Sequence, residues 1–108
     1  MAGICRTSGV KTASAVITST RAMLTSLHIT SNNDAAGSAG LVTIKVFNSN
    51  SASLGGKTEV ARYLHSQADQ TDIRNMEYDM HNVICDEGIY LQITNTGGAS
   101  AAVSVEFS

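Results

Sequence analysis

Proline and tryptophan are absent from the chain, cysteine and phenylalanine occur twice each, tyrosine three times, and only 15% of the 108 residues are charged. Each shortage excludes something. Without proline, every break in the chain has to be read from Gly, Asn, Asp and Ser. Cys5 and Cys85 stand far apart and form no Cys-x-x-Cys pair, so they read as separate reduced thiols rather than as a disulfide framework or a zinc site. The seven Lys and Arg residues are scattered and the formal net charge is −2. No basic stripe exists to neutralise phosphates, and no nucleic-acid partner is expected. No apolar run approaches the roughly 20 residues that cross a bilayer as a helix, and no charged-then-apolar leader opens the sequence. The expectation is a soluble chain with no membrane partner.

What is present is a chain that is 43% hydrophobic yet poor in charge, well below the roughly 25% of an ordinary soluble domain. Neutral Ser, Thr and Asn supply the missing polarity. Such a surface repels itself weakly and tolerates being covered by neighbours, which favours close packing in an assembly. A chain of this length buries about 65% of its unfolded surface and holds one core, hence one domain.

Long 3.6-residue apolar patterns are missing, while Val, Ile, Thr and Tyr recur in short alternating runs, the pattern of strands. Residues 1–12 mix Gly, Ser, Thr and two cations with little periodicity. They read as an extended N-terminal arm, ordered by its own sheet or by a neighbouring subunit, ahead of a domain spanning 13–108. In that arm Ile4 and Cys5 are the expected apolar anchors of an interface, and Arg6 and Lys11 its polar rim. Strands are predicted over 13–18 and 23–31, the latter with Met23, Thr25, Leu27 and Ile29 on one face. After a polar loop, residues 41–47 alternate most clearly, Val42, Ile44 and Val46 pointing one way and Thr43 and Lys45 the other. Residues 59–65 fit a strand or a short helix, and the strand is preferred. Residues 74–80 form another period-two segment, and 83–85 a short apolar run. Ile89, Leu91 and Ile93 set the inward face of 89–94, residues 95–98 read as a hairpin turn, and Ala101, Val103, Val105 and Phe107 face inward in the last strand. Val42, Ile44, Val46, Leu91, Ile93, Val103 and Val105 are the predicted common core. About eight short antiparallel strands, separated by turn residues, argue an all-β fold: a single jelly-roll-like β-sandwich.

Motifs that carry chemistry are few. Gly55-Gly56-Lys57-Thr58 matches the end of a phosphate-binding loop, but Ser51 stands where the spacing requires glycine, and no apolar strand runs into it. Asp69, Asp72, Glu77, Asp79, Asp86 and Glu87 are numerous enough for calcium, yet their spacing fits no EF-hand loop. His28, His65 and His81 share no zinc spacing, and no Gly-x-Ser-x-Gly elbow raises a serine as nucleophile. His28 is expected to be exposed or lodged at an interface. The neutral polar faces suit a lectin-like role, but no Trp offers a sugar platform. No catalytic, cofactor-binding or metal-ligating set is expected, and the chain reads as a non-enzyme.

The run Arg21-Ala22-Met23-Leu24-Thr25-Ser26-Leu27-His28-Ile29-Thr30, a small-residue loop, and then Leu41-Val42-Thr43-Ile44-Lys45-Val46-Phe47 resembles small β-sandwich virion proteins of tailed bacteriophages. Asp86-Glu87-Gly88-Ile89-Tyr90-Leu91-Gln92-Ile93-Thr94 and Ala102-Val103-Ser104-Val105-Glu106-Phe107 extend the resemblance over about residues 21–108. It implies a β-sandwich with a structural place in the virion, most simply a capsid decoration or cement protein on the outer shell. The implied partners are itself, as a homotrimer, and the major capsid protein or other virion proteins. A tail, fibre or adaptor component and a receptor-binding module draw on the same folds. The resemblance carries no catalytic signature, and no functional residue transfers with it.

Overall fold

The computed structural model describes residues 5–31, 39–69 and 71–108. Its strands are β1 (Arg6–Lys11), β2 (Ala15–Thr18), β3 (Ala22–Ser31), β4 (Gly40–Asn48), β5 (Thr58–Gln67), β6 (Arg74–Cys85), β7 (Ile89–Asn95) and β8 (Ala101–Phe107), and no helix occurs among the described residues. The antiparallel pairs are nested: β4 with β5, β3 with β6, β2 with β7, and β1 with β8. A long hairpin with its tip at residues 49–57 produces those four ladders. Two more, β3 with β8 and β4 with β7, roll it onto itself. The result is two four-stranded sheets, ordered β1-β8-β3-β6 and β2-β7-β4-β5, which is the strand order of a jelly roll. The expected jelly-roll-like sandwich is the fold observed.

The strand count agrees with the expectation, but the strands are not the same eight. Residues 6–11 of the arm form β1 at the edge of the first sheet, while 74–80 and 83–85 belong to the single strand β6. His81 (φ 51°) and Asn82 (φ 58°) join those two runs in left-handed conformation, a region in which His and Asn are enriched among residues other than glycine. The resulting kink interrupts an edge strand, a common way of discouraging pairing with other chains.

Inward residues follow the period-two pattern where it is unbroken. Val42, Ile44, Val46, Leu91, Val103 and Val105 are each at most 1% exposed. Ile93 is half-buried and packs against that core. In β3 the predicted phase fails in its first half. Leu24 faces Phe107 and Ser26 faces Glu106, so Thr25 is an extra residue, a β-bulge, and its hydroxyl donates to Asn82 Oδ1 at 3.1 Å. Before the bulge Ala22 and Leu24 point inward; after it Leu27 and Ile29 do. Met23 and Thr25 are therefore not on the face of Leu27, because one inserted residue reverses the phase.

β5 is a strand, with Tyr63, His65 and Gln67 buried and Leu64 left 54% exposed. The turn at 95–98 makes no hairpin. β7 and β8 lie in different sheets, and the connection bonds instead to the start of β4 and the residue before it: Thr96 N–H donates to Leu41 O and Gly98 N–H to Ala39 O. Two glycines allow this approach. A Cβ on Gly40 would lie 2.0 Å from Thr96 O, and one on Gly97 (φ +60°) 2.5 Å from Ala39 O. Among the described residues the only consecutive strands that pair are β4 and β5, so every other connection crosses between sheets.

Candidate functional site

Of the expected interface residues, Ile4 lies outside the described residues. Cys5 is exposed just before β1, its Sγ 3.9 Å from Glu106 Oε2. Arg6 stands opposite Phe107 and Lys11 opposite Val103 in the β1·β8 ladder. A register shift falls between Thr7 and Val10, where Gly9 has φ +71° and Ser8 Oγ accepts the Val105 N–H at 2.8 Å. Val10 is left 72% exposed. Among the described residues β1 thus presents an unpaired outer edge bearing one exposed valine between two cations.

The ladders place β8, β3 and β6 side by side, so their outward residues meet. His28 stands opposite Ser104 and Glu77, and Ser26 opposite Glu106 and Asp79. Glu106 Oε1 accepts from Ser26 Oγ at 2.5 Å and from His28 Nε2 at 2.7 Å, while His28 Nδ1 lies 3.5 Å from Glu77 Oε2. The Ser26 hydroxyl, then the imidazole, hold the Glu106 carboxyl below the usual glutamate range, against a smaller opposing effect of burial. Beside this cluster is a shallow cavity of about 260 Å³ bounded by His28, Thr30, Asn75, Met76 and Glu77.

This arrangement does not activate the serine. In a Ser–His–acid relay the imidazole takes the serine proton; here the carboxylate holds the hydroxyl, and its lowered pKa makes it a poor base. What the cluster does is fix two carboxylates around one imidazole, with Asp79 next along the same face. His28 sits on the outer face with its side chain 42% exposed. Ser26, Glu77 and Glu106 were not legible as its partners, since only the strand register brings them together.

A second polar group ties the β5–β6 connection. His65 Nε2 lies 3.2 Å from Asp72 Oδ2 without hydrogen-bond direction, and the Ala68 N–H donates to the same oxygen at 2.8 Å. Asp72 is held below the usual aspartate range, first by the Ala68 N–H, opposed by burial, and then by His65 and Arg74. Other acidic residues have separate partners: Glu59 is bonded to Arg62, Asp69 to Thr71, Asp79 to the His81 N–H, Asp86 to Arg21, and Glu87 to Lys57 of the glycine-rich fragment. Among the described residues no three His, Cys, Asp or Glu side chains are grouped to hold a metal ion. Both cysteines are free, and burial pushes the Cys85 thiol up.

Comparison with protein-family models, with curated proteins and with solved structures finds no match to this chain.

Proposed function

We propose that the chain is a structural protein of a bacteriophage virion: a capsid decoration protein that assembles as a homotrimer, binds the outer shell and stabilises it. The observation that carries this reading is the jelly-roll strand order, an architecture used by viral capsid domains as well as by lectins and cupins. The phage assignment rests on the resemblance of residues 21–108 to small virion proteins, and fold analogy alone would not supply it. Two further features fit. The outward faces of β3 and β8 carry Ser, Thr, Ala and a few charges, a surface that a neighbour can cover at low desolvation cost. Each sheet also ends in strands with an unpaired edge, β1 and β6 in one and β2 and β5 in the other, and edges of this kind gain by being covered. On this reading the chain is not an enzyme.

Quantitative mass spectrometry of purified particles tests the proposal. Copy numbers on the order of hundreds assign the chain to the shell, whereas a number on the order of ten assigns it to the tail or fibre, the runner-up position. Absence from particles ends the virion reading.

A further inference from the structure

β5 and β6 are both edge strands, one in each sheet, and the sandwich is not sealed where they face each other. A cavity of about 220 Å³ opens there. Its floor is Leu27, Ile29, Ile44 and Val46, all at most 3% exposed, and its sides include Ala61 and Met80. Tyr63 of β5 and Tyr78 of β6 reach across the opening and meet edge to face, ring centroids 6.3 Å apart at 61°.

We propose that this cavity is a binding site for a small, uncharged aromatic molecule of about one ring. Three observations select that occupant. Size is the first: an apolar cavity of about 150 Å³ in another protein stays dry and binds benzene, and this one is larger. Charge is the second. Among the described residues the one charged residue at the rim, Arg62, is already held by Glu59 through two bonds of 2.6 and 2.9 Å. An ionised ligand would shed its water and find no free counter-charge. Lining chemistry is the third: two tyrosine rings and the Met80 thioether favour an aromatic guest through ring-edge and sulfur contacts over a flexible alkyl chain. The site is separate from the outer face of β3 and β8, and it does not depend on the virion reading.

Ala61 controls the volume, because a larger side chain there grows into the cavity. The test is a titration of the full chain with toluene, followed by ¹H–¹³C and ¹H–¹⁵N NMR, with benzoate and hexane as comparison ligands and Ala61→Val and Ala61→Leu as variants. Saturable shifts centred on Leu27, Ile29, Ile44 and Met80 are expected for toluene. Benzoate and hexane should each bind at least about tenfold more weakly, the equivalent of about 1.4 kcal/mol. Ala61→Leu should lose toluene binding while keeping or raising the unfolding temperature, and Ala61→Val should weaken it if the leucine variant fails to fold. Unsaturable shifts, shifts centred on exposed Leu64 and Ile84, or equal binding of benzoate would overturn the proposal. So would the same shifts appearing on concentrating the protein without ligand, which would mean that a second copy fills the opening.

Discussion

The bulge at Thr25 decides which side chains of β3 support the core, and a pair of neighbouring substitutions tests it. Leu24 is fully buried, opposite Phe107 on β8 and Val83 on β6, whereas Met23 is half-buried on the other face. Without the bulge the phase of Leu27 and Ile29 would put Met23 inside and Leu24 outside. Leu24→Ala removes a buried aliphatic chain between strands fixed by ladders on both sides. Its surroundings have little freedom to collapse, so the cost belongs in the range of about 3–5 kcal/mol. Met23→Ala removes a partly solvated chain and should cost about 1 kcal/mol. A domain of this size loses about 4–8 °C of melting temperature per kcal/mol, so Leu24→Ala should melt at least about 12 °C below the parent and Met23→Ala within about 8 °C of it. Urea unfolding followed by far-UV circular dichroism measures both, with equal m-values showing that the comparison is fair. If Met23→Ala costs as much as Leu24→Ala, the phase reversal is wrong.

Other consequences are equally open to measurement. Glu106 has a lowered pKa in the folded chain, so its ionised form contributes stability that is complete above the ordinary glutamate value of 4.5 and is lost as pH falls through the folded value. Glu106→Gln should therefore flatten the acid side of a plot of unfolding midpoint against pH; an unchanged acid limb would contradict the Ser26–Glu106–His28 geometry. Cys5 should react with a thiol reagent at once and Cys85 only on unfolding, because one is exposed and the other fully buried with a raised pKa. Fast modification of both thiols in the native protein would oppose that placement. Gly97→Ala forces a Cβ against Ala39 O in a left-handed conformation and should destabilise by about 1–3 kcal/mol, while Gly55→Ala, with open space around it, should lie within about 0.5 kcal/mol of the parent.

The strands whose apolar residues alternate without interruption could be read directly. Val42, Ile44 and Val46 in β4 and every second residue from Ala101 to Phe107 in β8 are buried, and burial is what the period-two pattern reports. Where an extra residue intervenes the pattern misleads: Thr25 reverses β3, and nothing local in Met23-Leu24-Thr25-Ser26 marks the insertion. β5 was ambiguous because its inward side carries Tyr63, His65 and Gln67 while Leu64 faces out. β1 carries no strand signal in its sequence because both of its faces are largely solvated and its register shifts around Gly9. Partner choice is long-range, so a Gly-rich turn at 95–98 looked like a hairpin although it crosses between sheets. The same limit hid the polar cluster. Ser26 and His28 could be placed on one face from their spacing, but Glu106 joins them only through the β3·β8 register.

In the proposed function this jelly roll covers and strengthens a viral shell. The most direct test adds the purified chain back to phage particles assembled without it and measures bound copies together with the temperature at which the packaged nucleic acid is released. Saturable binding in copies on the order of hundreds, in threefold groups, is expected, with release at a higher temperature than from bare particles. Particles that bind none of the chain, or that bind it and release their contents at an unchanged temperature, would contradict the account.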